Sequence, residues 1–397
     1  MVDSQIQMNE HKTIQGFTLL GGPLHRLGCR LGLVRKETNT SRLGVALGLL
    51  AWGVLVVLAL LDGLGPNAFS LAAVAIHVRF LVVIPLFFFA EAWVIPQMAE
   101  FVRHIVRYGV VPESSLPALE ADVRRVDRMA DSWLAELVLL LLAGFALPVA
   151  ERIFPLPGGT SSWATIIDAT GGRLTWMNGW YLIFCLPLFR FLLFRWLWRI
   201  GLWSYFLWRV DKLDLRLIPT HSDGVAGLGY LEVVQEYFAP LALAISALLA
   251  AQFAEDISTG KMAFQTLYYL APMVLLLNAA LFIGPLFIFT PKLLTCRWTG
   301  MSKYMGMASR YVEAFDTKWV QDENETGESQ LGAADLQSLA DLTNSVNVVR
   351  NMRLIPAGQR LIVVLAICVM LPLAPLLLLK FPVGQLAAQL FKMLTGF

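Results

Sequence analysis

Several stretches of this chain are too long and too poor in charge for the core of a water-soluble protein. Leu43–Leu61 runs 19 residues without a charged side chain, and Phe80–Ile95 holds one carboxylate, Glu91. A helix needs about 20 apolar residues to cross a hydrocarbon core about 30 Å thick. Lipid offers the backbone no hydrogen bonds, so continuous apolar runs of this kind are helices. The sequence predicts an all-α, polytopic transmembrane bundle of about seven spans. These are Leu43–Leu61, Phe80–Ile95, Trp133–Val149, a fourth from Trp176 to beyond Arg195, Phe238–Ala254, Leu267–Phe289 and Leu361–Leu379. Ala68–Ile76 is apolar but too short to cross, and reads as a re-entrant or interfacial piece.

Composition agrees: 57% of the 397 residues are hydrophobic and 15% charged, against about 25% charged in soluble domains. A net charge of +2 gives no support for a nucleic-acid partner. Cys29, Cys185, Cys296 and Cys368 are far apart and form no CxxC or Cys/His cluster. No metal site or cofactor is therefore expected. Residues 1–20 lack the apolar core of a signal peptide.

Four regions follow. Residues 1–42 form an N-terminal segment, polar to Gln15 and then amphipathic over Phe17–Val34, suited to the membrane interface. Residues 43–290 hold six spans, and 360–397 the last span with an amphipathic tail. Residues 291–359 form a polar helical region around a mobile acidic linker at 321–334. That region is a candidate docking segment for a cytoplasmic protein partner. Of 31 Lys and Arg residues, 25 fall on the side of the N-terminus and 6 on the other. The positive-inside rule then places the N-terminus in the cytoplasm.

Charge inside a span is costly and marks function by default. At about 1.5 Å per residue, Glu91 lies roughly 17 Å in from outside, Arg190 roughly 21 Å and Arg195 roughly 29 Å. Glu136 lies roughly 5 Å in from the cytoplasmic side. All four fall in the inner half, so Glu91–Arg190 and Glu136–Arg195 pairs are allowed, either as structural ion pairs or as the lining of a vestibule. The Trp-rich fourth span runs on through Arg199 and Arg209, candidate contacts for a phosphate or lipid head group. It leads into the turn at His221 and Asp223. These two could ligate a metal or form an acid–base pair, or Ser222 or Asp223 can cap a helix that starts near Gly227, with Gly224 closing the turn. Gly227 and Gly229 belong to a Gly-rich loop that lacks the GK[ST] of a P-loop. HExxH and GxSxG are absent, and no central histidine or lysine suits haem or retinal.

The stretch PTHSDGVAGLGYL resembles the P-x-H-P-D-x-x-G-G-L-G-F-L segment of multi-pass bacterial membrane proteins of unassigned activity. His221, Asp223, Gly227, Leu228 and Gly229 match. Ser222, Ala226 and Tyr230 depart from it. The resemblance implies a bacterial cytoplasmic membrane and no particular chemistry.

Three function classes stay open. The first is a channel or transporter-like protein, open to homo-oligomer formation, with Glu91, Glu136, Arg190 and Arg195 around a cytoplasm-facing vestibule for an ion or small anionic solute. The second is a membrane enzyme using His221 and Asp223 on a lipid-linked or phosphorylated substrate. The third is a sensor or assembly scaffold.

Overall fold

The computed structural model describes residues 16–19, 21, 40–63, 69–146, 175–321 and 334–380. Most of residues 1–39, and residues 64–68, 147–174, 322–333 and 381–397, lie outside the described residues. So do the expectations made for them.

Among the described residues every regular element of the bundle is a helix. Its elements are α1 (Thr40–Leu61), α2 (Val74–Arg107), α3 (Leu116–Ala130), α4 (Trp133–Leu141), α5 (Trp176–Asp211) and α6 (Tyr230–Ser258). Then come α7 (Leu267–Phe282), α8 (Thr290–Asp316), α9 (Ala334–Arg350) and α10 (Gln359–Met370). Among the described residues six helices are long and apolar enough to cross a membrane, namely α1, α2, α5, α6, α7 and the segment Gln359–Leu379. The stretch beginning at Trp133 is shorter, and the rest of the span predicted to reach Val149 lies outside the described residues.

One expectation is corrected. Ala68–Ile76 is no separate re-entrant piece. After a 3₁₀ turn at Leu71–Ala73 the chain enters α2 at Val74 and continues as one rod of 34 residues, about 51 Å long at helical rise. His77 and Arg79, which suggested a break, are absorbed by partners. Trp52 Nε1 donates to His77 Nδ1 at 2.8 Å, and Arg79 Nη1 donates to the Tyr181 hydroxyl at 2.6 Å.

The longest rods, α2 and α5, run in the same direction. Arg79 meets Tyr181, Trp196 Nε1 donates to the Phe87 carbonyl, Glu91 meets Arg199, and Phe101 packs on Trp203. Two parallel helices require the chain to return between them. Helix α4 starts that return, with Ser132 Oγ capping its first turn by accepting from the Ala135 N–H.

Both rods carry a π turn two residues before a proline. Arg79–Val83 precedes Pro85, and Tyr181–Cys185 precedes Pro187. Proline cannot donate its backbone bond, and an extra residue in the preceding turn relieves the ladder there. The two π turns face each other through the Arg79–Tyr181 bond.

Helix α1 lies against α2 through Gly44 and Gly48. A Cβ on Gly44 would meet the Phe88 side chain at 2.6 Å, and one on Gly48 would overlap the Phe80 carbonyl oxygen. This is the small-xxx-small approach that lipid-embedded helices use.

Helices α8 and α9 pack together on the side where α2 and α5 end. Tyr311 donates to the Asp335 carbonyl, and Lys318 pairs with the Asp335 carboxylate at 3.0 Å. Buried aromatics cluster where α2, α5 and the segment at Phe17 converge: Phe17, Phe101, Trp203 and Phe206.

Candidate functional site

The intramembrane charges are buried and grouped. Glu91 and Arg199 form an ion pair, Nη1 to Oε2, at 2.6 Å, with side chains 7% and 4% exposed. The Arg199 guanidinium also sits 5.5 Å from the Trp196 ring, a cation–π contact. Arg195 lies in the field of Glu91, Glu136 and Arg199. A cavity of about 10 Å³ touches Glu136, Arg195, Arg199 and Trp198. That is at the lower limit for one water, so no wide vestibule opens at this group.

A second group lies nearer the start of α2 and α5. Besides donating to Tyr181, Arg79 stacks 5.0 Å from the Phe189 ring. Tyr181 also lies in the field of Arg190 and Glu255. Arg79, Arg190 and Glu255 are all buried. Arg190 therefore belongs to this group, and Glu91 meets Arg199. The sequence singled out Arg199 only as a head-group contact and passed over Arg79 and Glu255. Treating Val74–Arg107 as one helix would have placed Arg79 inside the span. Extending the fifth span by one residue past Ala254 would have found Glu255.

The other head-group candidate, Arg209, binds Asp122 of α3 at 2.8 Å, and that carboxylate is 2% exposed. Both proposed phosphate contacts thus hold protein carboxylates.

At the loop, Asp223 is the acceptor for three backbone N–H groups. Val225 and Gly227 donate to Oδ1 at 2.9 and 3.2 Å, and Gly227 and Gly229 donate to Oδ2 at 3.0 and 2.8 Å. His221 Nδ1 lies 2.9 Å from Oδ1. It also lies 3.3 Å from the Asp223 N–H. One nitrogen cannot donate and accept together, and the shorter contact puts the proton on Nδ1. Burial disfavours the Asp223 carboxylate, but the three N–H groups and His221 outweigh it and hold its pKa below the usual carboxylate range. Gly224 and Gly227 have φ of +69° and +102°. A Cβ on Gly227 would press on Val110, and one on Gly229 on Asp223 itself. Arg353 closes the loop by donating to the Asp223 carbonyl at 3.0 Å and to Glu232 at 2.7 Å. His104 stacks on Tyr230 at 4.8 Å and lies in the field of Asp223 and His221. Asp223 thus organises the turn ahead of α6, which starts at Tyr230.

Among the described residues no group of three or more His, Cys, Asp or Glu side chains is placed to hold a metal ion. No family model matches this chain, and neither curated proteins nor solved structures yielded a match. Function therefore rests on the geometry.

Proposed function

We propose that this protein is a membrane transport protein for a small anionic solute, seen with its path closed. The observation that carries the reading is the grouping of four guanidiniums (Arg79, Arg190, Arg195, Arg199) and three carboxylates (Glu91, Glu136, Glu255) inside one apolar bundle. Apolar side chains of similar size would hold the helices together at least as well. Ionisable residues at this depth line solute paths. Among the described residues of this group guanidinium outnumbers carboxylate, which favours an anion over a cation as the solute. Arg190 and Arg199 are nine positions apart on α5, roughly 14 Å along the axis, and can hand an anion from one group to the other. The near-absence of free volume beside Arg195 fits an occluded state.

The setting proposed for it is a bacterial cytoplasmic membrane, with the N-terminus and the α8–α9 hairpin in the cytoplasm. The positive-side bias and the loop resemblance support this. The enzyme reading has less support, because the Asp223 oxygens are engaged by the backbone, and Arg199 and Arg209 by carboxylates.

The test is flux from proteoliposomes loaded in turn with chloride, nitrate, phosphate and small carboxylates. Wild type is expected to release at least one of them, and Arg195→Gln to abolish that release while the thermal melt stays within a few degrees. If none of these anions moves, the reading fails.

A further inference from the structure

We infer that the groove at the α3–α4 junction binds the phosphate of an anionic diacyl phospholipid, which would make this a lipid site separate from the charged core. The groove measures about 590 Å³. Its lining combines Arg125 and Arg128, both exposed, with the apolar side chains of Leu134, Val138 and Leu139 and with Trp198 of α5.

These two charges are unlike the other arginines of this face. Arg124 pairs with Glu120, Arg209 with Asp122, and Arg103 and Arg107 with Glu100. Arg128 donates only to a backbone carbonyl, that of Arg124, and Arg125 bonds the neutral Tyr205 hydroxyl. Among the described residues neither forms an ion pair. Two exposed guanidiniums one helical turn apart match the span of a phosphodiester.

The apolar lining excludes a purely aqueous ligand. Leu134 and Val138 are exposed on the outer face of an apolar helix, where only acyl chains would cover them in a membrane. The Trp198 ring adds further apolar wall to the groove. Exposed guanidiniums beside an apolar lining match the phosphate and acyl chains of a phospholipid.

The test uses the full-length protein in nanodiscs of phosphatidylcholine with increasing phosphatidylglycerol, and native mass spectrometry to count retained lipids. Wild type is expected to retain phosphatidylglycerol over phosphatidylcholine. A basic residue beside an anionic surface is worth about fivefold in affinity. Arg125→Gln and Arg128→Gln should each lower the preference by about fivefold and the double variant by about 25-fold. Arg103→Gln/Arg107→Gln removes equal charge away from the groove and should leave the preference within twofold. Equal retention of the two lipids by wild type overturns the inference. So does a preference that survives in both single variants, or displacement of the lipid by millimolar inorganic phosphate. A change in oligomeric state on light scattering with unchanged selectivity would make the groove a subunit interface and overturn it as well.

Discussion

The Glu91–Arg199 pair predicts an unusual order of stabilities. Removing one partner of a buried pair leaves an uncompensated charge and costs about 3–5 kcal/mol. Glu91→Leu leaves Arg199 and Arg195 with Glu136, two guanidiniums against one carboxylate. Arg199→Met leaves Glu91 and Glu136 with Arg195, the mirror imbalance, and should cost a similar amount. The double variant Glu91→Leu/Arg199→Met leaves one charge of each sign and should return to within about 1 kcal/mol of wild type. The coupling between the two sites then exceeds about 2 kcal/mol. The assay is reversible unfolding by SDS in mixed micelles, followed by helicity and tryptophan fluorescence. If the double variant loses the sum of the single losses, the two side chains do not compensate each other, and the charge accounting is refuted. The same double variant, folded but without flux, would separate transport from packing.

Three further outcomes follow from particular contacts. Asp223→Ala should cost about 2–3 kcal/mol, because three backbone donors lose a charged acceptor. Since the folded pKa of Asp223 is depressed, its contribution is present above the usual carboxylate range and lost as pH falls through the lower folded value. Asp223→Asn should therefore flatten the acid limb of the stability profile below about pH 4, and an unchanged limb would count against the cradle. Asp127 shows the opposite sign. Burial raises its pKa to about 6, despite the Thr18 N–H at 3.5 Å. Its folded form binds a proton more readily, so stability should fall as pH rises from about 4 to 6, and Asp127→Asn should remove that fall in pH-scanned melts. Gly48→Val should drive α1 off the Phe80 carbonyl and lower the melting temperature by several degrees; an unchanged melt would contradict the close approach.

The membrane-spanning character was readable because charge-poor runs such as Leu43–Leu61 admit one solution in lipid. The loop was half readable. An Asp two residues after a His and ahead of glycines suggested that Ser222 or Asp223 caps a helix starting near Gly227; instead α6 starts at Tyr230 without a side-chain cap, and Asp223 accepts from Val225, Gly227 and Gly229 in the turn before it. What escaped was pairing across distance. Arg79 looked like the end of an apolar piece because a polar residue was taken to mark the edge of the membrane. Its tyrosine partner lies 102 residues on. Gly44 and Gly48 passed unnoticed because glycine in an apolar helix signals close packing only once its neighbour is known. Arg199 was assigned to a lipid head group for the same reason: depth along one helix does not reveal which other helix lies beside it.

The parallel course of α2 and α5 has a consequence for biogenesis. The carboxylate of Glu91 leaves the ribosome 108 residues before the guanidinium of Arg199. At about 5–20 residues per second, that is an interval of roughly 5–20 s. During it, α2 carries an acidic side chain without this partner, beside a translocon and lipid. The Glu91–Arg199 contact can close only once α5 has been made, so this step of packing waits on the second rod.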